Sequence, residues 1–460
     1  MTLWTANDIA LATGGTASAD FAARGVAFDS REVGRGDLFV ALSGEATDGH
    51  RFVEQAFAQG AAGAIVSQPC AHPHIRVDDT MAALEALGVA ARARTHATII
   101  GVTGSVGKTG TKEALAAALA RAEPGRVHRS VKSYNNHTGV PLSLSRMPAD
   151  SAFAVLEMGM NHPGELATLT RFVRPHIAIV TAIAPAHTAF FDSVEAIADA
   201  KGEIFRGLEP DGTAIVPFDS PHRDRLIAAA RPHAGRIVTF GASEGADVRA
   251  IETMAMPTGT FVTARVGARE VSFTIGQPGM HWVSNALAIM AAVDAAGGDL
   301  ALAGLALADL AGLPGRGARH VVAMDGGTAL VIDESYNANP ASMRATLAVL
   351  GGTPGRRIAV LGEMRELGND SARYHAALKE AVEAAGVELA VLVGEAMRPL
   401  AEALEGRVDF VHVADAATAR DRLLGVLAPG DAVLIKGSHA LGLADVVRAL
   451  TDPTPPKAAG

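Results

Sequence analysis

A chain of 460 residues exceeds what one hydrophobic core serves, and with 49% apolar and 19% charged residues it reads as a soluble protein of two or three domains. Its formal net charge of −9 argues against a broad basic face for nucleic acid, leaving small molecules as the expected partners. No apolar run reaches bilayer length, no basic-then-apolar leader follows Met1, and the lone Cys70 excludes an internal disulfide, so a cytoplasmic setting without membrane contact is expected.

Residues 1–92 mix strand-like runs (38–42, 62–66) with a helical pattern over 52–57. From 93 to 313 apolar strands alternate with helices, predicting a mainly parallel sheet covered on both faces. The strand candidate 97–100 runs into Gly101-Val102-Thr103-Gly104-Ser105-Val106-Gly107-Lys108-Thr109, and a helix is predicted over 112–119. A glycine-rich turn between strand and helix gathers backbone N–H groups at the positive end of the helix dipole. Lys108 then reaches the outer phosphates of a nucleoside triphosphate, and the Thr109 hydroxyl can hold Mg²⁺. Val102 stands where the strict P-loop spacing has glycine, so the motif is a variant form.

Glu157 closes the predicted strand 153–156, at the sheet edge where a carboxylate can reach phosphate-bound Mg²⁺; a solvated strand-end acid is the plain alternative. His187 follows the strand 177–180 at the same edge. A helix beginning near Ser193 carries Val194, Ile197, Ile204, Phe205 and Leu208 as its apolar stripe, and Lys201 falls on that stripe. Either its stem is buried with the ammonium snorkelling to water, or it is a desolvated amine of lowered pKa. Lysine is scarce here: Lys108, Lys112, Lys132, Lys201, Lys379, Lys436 and Lys457 are all there are, so each is worth a reason.

The segments 133–141, 279–288 and 333–340 are dense in amides and charge, with Asn285 expected at the start of an alanine-rich helix. Pro314-Gly315 reads as a hinge. Beyond it the strand candidates 329–332, 357–361, 389–393 and 432–435 predict a second α/β sheet of Rossmann-like type, and the tail 452–460 reads as disordered.

Together these pieces resemble the Mur ligases, ATP-dependent amide ligases that build the peptide stem of peptidoglycan precursors. The general signature is the turn 103–109, then Glu157, His187, Lys201 and His281…Asn285; the member-specific part is 333–340 with 361–368 after it. Asp29-Ser30-Arg31, the segment 36–42 and Asp48-Gly49-His50 match the family's UDP-binding region. The resemblance implies three α/β domains: 1–92 for the UDP end of the substrate, 93–313 as a P-loop-type ATPase domain, and 314–460 as a Rossmann-like domain. It implies ATP contacts from Thr103, Gly104, Ser105, Val106, Gly107, Lys108, Thr109, Asn285, Arg316 and Asp333. Thr109, Glu157, His187 and Lys201 would form the Mg²⁺ side, with Lys201 carrying a carbamate and Lys108 contacting the phosphates. Ser30, Arg31, Asp48, His50, Asn135 and Asn136 would take the UDP-muramoyl-tripeptide, and Tyr336, Asn337 and Asn339 would face an incoming D-alanyl-D-alanine. A monomer is expected. The family often has arginine after Lys436-Gly437-Ser438, whereas this chain has His439. A sister ligase adding the third stem residue is the nearest alternative, but the Asp-Asn-Pro-Arg motif of its diaminopimelate-using form is missing. A nucleotide-binding switch is the other, and it would not need Glu157, His187 and Lys201 at one metal.

Overall fold

The computed structural model describes residues 2–44, 47–256 and 258–452; of the tail expected to be disordered, 453–460 lie outside the described residues. Three α/β layers follow one another along the chain. The first is built on five strands in the order Thr16–Ala17, His74–Arg76, Gly63–Val66, Asp37–Val40, Gly25–Ala27, parallel except for the first. Leu38, Val40 and Ile65 pack towards Trp4 and Leu84, while Phe39, Ala64 and Val66 pack on the opposite face. Burial on both faces is why these strands read as unbroken apolar runs.

The second sheet has nine strands, in the order Arg269–Ile275, Gly259–Val266, Val248–Met256, Arg236–Gly241, Thr213–Pro217, Ile177–Val180, Thr98–Thr103, Phe153–Glu157, Val127–Arg129. All run parallel from Val248–Met256 to Val127–Arg129, as expected; the first two are antiparallel additions at the edge. The chain completes the flank on one side of Thr98–Thr103, then crosses to the other at Ile177–Val180. Loops at the C-terminal end of Thr98–Thr103 therefore diverge and leave a crevice. Helices Lys108–Ala122, Met280–Ala295 and Leu300–Ala308 cover one face; Gly139–Ser145, Glu165–Val173, Val194–Gly202 and Arg223–Ala230 cover the other.

The third sheet orders Ala318–Met324, Gly327–Glu334, Asp431–Lys436, Arg356–Gly362, Leu389–Val393 and Asp409–Val413, parallel after the first strand. The expected hinge is a pinned turn: Gly315 has φ +72°, its N–H donates to Asp333 Oδ2 at 2.7 Å, and its carbonyl accepts from Tyr336 N at 3.1 Å.

One source of acid sensitivity can be read from an edge strand of this frame. His128, on the edge strand Val127–Arg129, donates from Nε2 to Ser143 O at 2.7 Å, and burial lowers its pKa from 6.5 to about 4. Between those values the unfolded chain binds more protons, so stability is lost as pH falls from 6.5 towards 4 and is unaffected above that window. The contribution is on the order of 3 kcal/mol at its largest. His128→Gln, which keeps a donor but does not titrate, should flatten the fall of Tm with acid relative to the parent; parallel curves would remove His128 from the account.

Candidate active site

The strand Thr98–Thr103 delivers the glycine-rich turn into the crevice. Val102, which takes the place of a P-loop glycine, is still in this strand and packs in the core beside Ile100 and Ile179, so no glycine is needed there. Glycine is required two residues later. Gly104 has φ +150° and a Cβ would collide with Thr181 Oγ1; Gly107 has φ +84° and a Cβ would lie 2.7 Å from Asn285 Oδ1. The turn is moored to the neighbouring strand end: Ser105 N donates to Ala182 O at 2.8 Å, Thr181 Oγ1 to Val106 O at 2.5 Å, and Ala184 N to Ser105 Oγ at 3.1 Å. Helix Lys108–Ala122 starts directly from Gly107, leaving its first-turn N–H groups at the crevice. Lys108 Nζ donates to Gly104 O at 2.7 Å, which leaves two of its donors uncommitted. Burial lowers the Lys108 pKa, with Glu157 opposing and Arg316 adding to the shift.

The turn forms one wall of a cleft of about 460 Å³. Residues Ser105 to Gly110, Asn135, Glu157, His187 and Asn285 line it from the second sheet; Arg316, Glu334, Tyr336, Asn337, Asn339 and Lys436 line it from the third. Glu157 ends its strand almost fully buried. Its Oε1 accepts from Asn135 Nδ2 at 2.7 Å, while Oε2 is buried without a hydrogen-bond partner among the described residues. His187 adopts φ +59° and shares a 2.5 Å hydrogen bond from Nδ1 with Glu366 Oε2, linking the second and third layers. Burial lowers its pKa, as do Lys108 and Lys201, against the opposing Glu366; a neutral imidazole that donates from Nδ1 offers Nε2 as a ligand.

Lys201 does not snorkel. Ser193 caps its helix, accepting from Ala196 N, and the apolar stripe continues through the 3₁₀ turn Glu203–Gly207; Lys201 is 0% exposed between them. Its Nζ has no hydrogen-bond partner among the described residues, and burial, with Lys108 nearby, pushes its pKa well below the ordinary lysine value. It lies outside the lining of the cleft.

The donor types suit Mg²⁺. No three His, Cys, Asp or Glu side chains cluster tightly enough to hold a metal alone among the described residues. Magnesium in a nucleotide site takes one or two carboxylates and completes its shell with phosphate oxygens and water, so the unpartnered Glu157 oxygen beside Thr109 and His187 fits that need.

Other expected site residues have local duties. Asp333 is not in the cleft lining: its carboxylate is used by Gly315 N, Ser335 N and Ser335 Oγ, which shapes the turn carrying Arg316. Arg316 lies over the Tyr336 ring at 4.1 Å, and the Tyr336 hydroxyl bonds Ser133 Oγ. Asn339 lines the cleft but spends its side chain capping helix Pro340–Gly351, and Asn136 Oδ1 accepts from Thr138 and Gly139. Asn285 is not at a helix start; helix Met280–Ala295 begins a turn and a half earlier. Ser30, Arg31, Asp48 and His50 sit after the strands Gly25–Ala27 and Asp37–Val40, outside that cleft. There Ser30 bonds Gln55, Arg31 pairs with Asp29, and the Asp48 carboxylate is held at about 2 by the His50 N–H, the His50 ring and Gln68. His439 packs against Tyr336, with ring centroids 5.3 Å apart.

Sequence reasoning missed the pairing of buried Lys436 with half-buried Glu334, at 3.4 Å, which lines the cleft. Both residues end adjacent parallel strands in register, and the scarcity of lysine was the available signal.

Known proteins place this architecture. Residues 102–293 match the Mur ligase middle domain, 319–439 the Mur ligase glutamate ligase domain, and 23–87 the Mur ligase family catalytic domain. The UDP-N-acetylmuramoyl-tripeptide–D-alanyl-D-alanine ligase of Escherichia coli is 35% identical, with 94% of this chain and 95% of that one covered. A crystal structure of MurF from Acinetobacter baumannii superposes with a TM-score of 0.84 at 32% identity, covering 98% of this chain and 99% of that one. MurF ligase from Thermotoga maritima, in complex with ADP, gives 0.77 at 26% identity, covering 93% and 97%. Likeness of this extent, over all three layers, makes the chain a member of the Mur ligase family.

Proposed function

We propose that this chain is an ATP-dependent ligase that joins D-alanyl-D-alanine to a UDP-N-acetylmuramoyl-tripeptide in peptidoglycan precursor synthesis. One observation carries the reading. The phosphate-type turn, the buried Glu157 and the segment Glu334–Asn339 share a single cleft, in a chain alike over nearly its whole length to ligases of that name.

The reaction begins with attack of the tripeptide's terminal carboxylate on the γ-phosphorus of ATP, giving an acyl phosphate and ADP. The dipeptide amine then adds to the acyl carbon, and the tetrahedral intermediate collapses to amide, phosphate and a proton. Lys108 and the N–H groups opening its helix hold the phosphates in line, and Arg316 adds positive charge from the opposite wall. Mg²⁺ bound at Thr109, Glu157 and His187 would neutralise phosphate charge. The Lys201 amine, of lowered pKa and without a hydrogen-bond partner among the described residues, suits carbamate formation, which would set an anion beside that metal site. Asn135 and Asn136 take the muramoyl-peptide, with Ser30, Arg31, Asp48 and His50 at its UDP end; Tyr336, Asn337 and Asn339 orient the dipeptide. Asn285 and Asp333 serve ATP, Asp333 by shaping the Arg316 turn. Closure of the walls from two layers over bound substrates would exclude water that would hydrolyse the acyl phosphate.

The working units are 1–92 for the UDP end, 93–313 for ATP and 314–460 for the dipeptide, in a cytoplasmic monomer; no helix among the described residues is long and apolar enough to cross a membrane. Phosphate release from ATP should require both the tripeptide and D-alanyl-D-alanine. Release with a UDP-muramoyl-dipeptide and a single amino acid in place of the tripeptide and D-alanyl-D-alanine would favour the sister ligase, and release with nucleotide alone a switch. Running the assay with lysine- and diaminopimelate-containing tripeptides fixes the third stem residue.

A further inference from the structure

Three lysines, the half-buried Lys108 and the buried Lys201 and Lys436, have a place at or behind the cleft. Lys112 does not: it is 0% exposed and does not line it. It stands one turn after Lys108 on the same helix. An ammonium has three N–H donors, and three acceptors meet this one: Ser130 O at 3.2 Å, Glu113 Oε1 at 2.7 Å, and Lys132 O. A buried charge with every donor matched is a fixed contact. Lys201 is the opposite case, with no donor matched.

Two of those acceptors are main-chain carbonyls of the segment 130–132, where Lys132 is held at φ +48°. From that turn the chain fans out to all three layers. Lys132 Nζ and Tyr134 OH both reach Glu32 Oε1, at 2.5 and 2.9 Å. Ser133 Oγ bonds Tyr336 OH, and Asn135 Nδ2 holds Glu157 Oε1 at 2.7 Å. The backbone of 130–132 therefore sets where Asn135 and Glu157 stand relative to each other, and Lys112 ties that backbone to the phosphate-binding helix.

We infer that Lys112 is a positioning residue that couples the phosphate-binding helix to the loop 133–138, so that the tripeptide's carboxylate is set against the nucleotide. This rests on the ligase reading above. Lysine is needed for its reach and its three donors. Methionine has the length without the donors, and would leave the carbonyls of Ser130 and Lys132 unmatched and the left-handed turn unsupported. The helix itself would stay, because Ala114, Leu115, Ala118 and Leu119 pack in the core with helices Met280–Ala295 and Leu300–Ala308.

The test uses the full chain carrying Lys112→Met. ADP affinity, read by calorimetry, should stay within about threefold of the parent, as should KM for D-alanyl-D-alanine, while KM for the UDP-muramoyl-tripeptide rises at least about tenfold and kcat falls. ADP affinity falling in step with the tripeptide, or an unchanged tripeptide KM with only a lower Tm, would overturn the assignment. Lys132→Val provides a surface route to the same turn, since a β-branched residue resists positive φ; it should reproduce the tripeptide-specific loss. Lys132→Asn, which tolerates that conformation, should stay within about threefold of the parent. Equal losses in both would place the effect in the Glu32 ion pair and also overturn the proposal. A parent that ligates no tripeptide sinks the ligase reading instead, so the two failures are distinguishable.

Discussion

Replacing Lys108 by alanine is expected to abolish ligation while leaving the protein folded. Its side chain makes one hydrogen bond, to Gly104 O within its own turn, so little of the fold depends on it. The turn is held without it by Thr181, Ala182 and Ala184. During phosphoryl transfer, however, the ammonium is a fixed positive charge at the helix start, in a site of low dielectric. Losing such a charge should cost at least ~3 kcal/mol of transition-state stabilisation, roughly a hundredfold or more in kcat/KM. Circular dichroism and Tm should match the parent within a few degrees. Ligation within tenfold of the parent would mean that the glycine-rich turn is a connector and not the phosphate site.

Where the sequence was informative, a local physical constraint acted on it. Ile177–Val180 and Leu389–Val393 are buried on both faces of their sheets, so their apolar runs named them as strands. Ser193 was visible as a cap because an exposed N-terminus needs a side-chain acceptor, and it has one. The inner strand Val248–Met256 and the edge strand Ala318–Met324 were not singled out: much of the first is exposed and most of the second is exposed or half-buried, so no apolar run marks them. Contacts between layers were equally hidden. His187 and Glu366 are 179 residues apart, and no local pattern signals that they meet. The apolar stripe placed Lys201 on an inward face, yet depth depends on what packs over that face, which a helical pattern does not contain. Asp333 shows the reverse: its position after a strand pointed to the cleft, but the need to pin Gly315 claimed both its oxygens.

Depth is what makes Lys201 chemically testable. A fully buried amine without a hydrogen-bond partner among the described residues is shifted towards its neutral form, and only the neutral amine adds to CO₂, giving a carbamate and a proton. The product is an anion where the unmodified side chain is an amine, close enough to Lys108 and His187 for their charges to act on one another. Lys201→Ala should lose ligation by roughly a hundredfold or more, comparable to removing another fixed charge from the phosphate-transfer site. Formate or acetate should restore part of the activity in that variant, because a small carboxylate can enter the vacated space and replace the anion. Lys201→Arg should be as inactive and should resist rescue, since a permanent cation fills the space. Independently of activity, the parent loaded with carbon-13 bicarbonate should show a carbamate resonance that both variants lack. A fully active Lys201→Arg, or a parent without that resonance under saturating bicarbonate, would leave Lys201 as an unmodified buried amine and limit the proposed Mg²⁺ ligands to Thr109, Glu157 and His187.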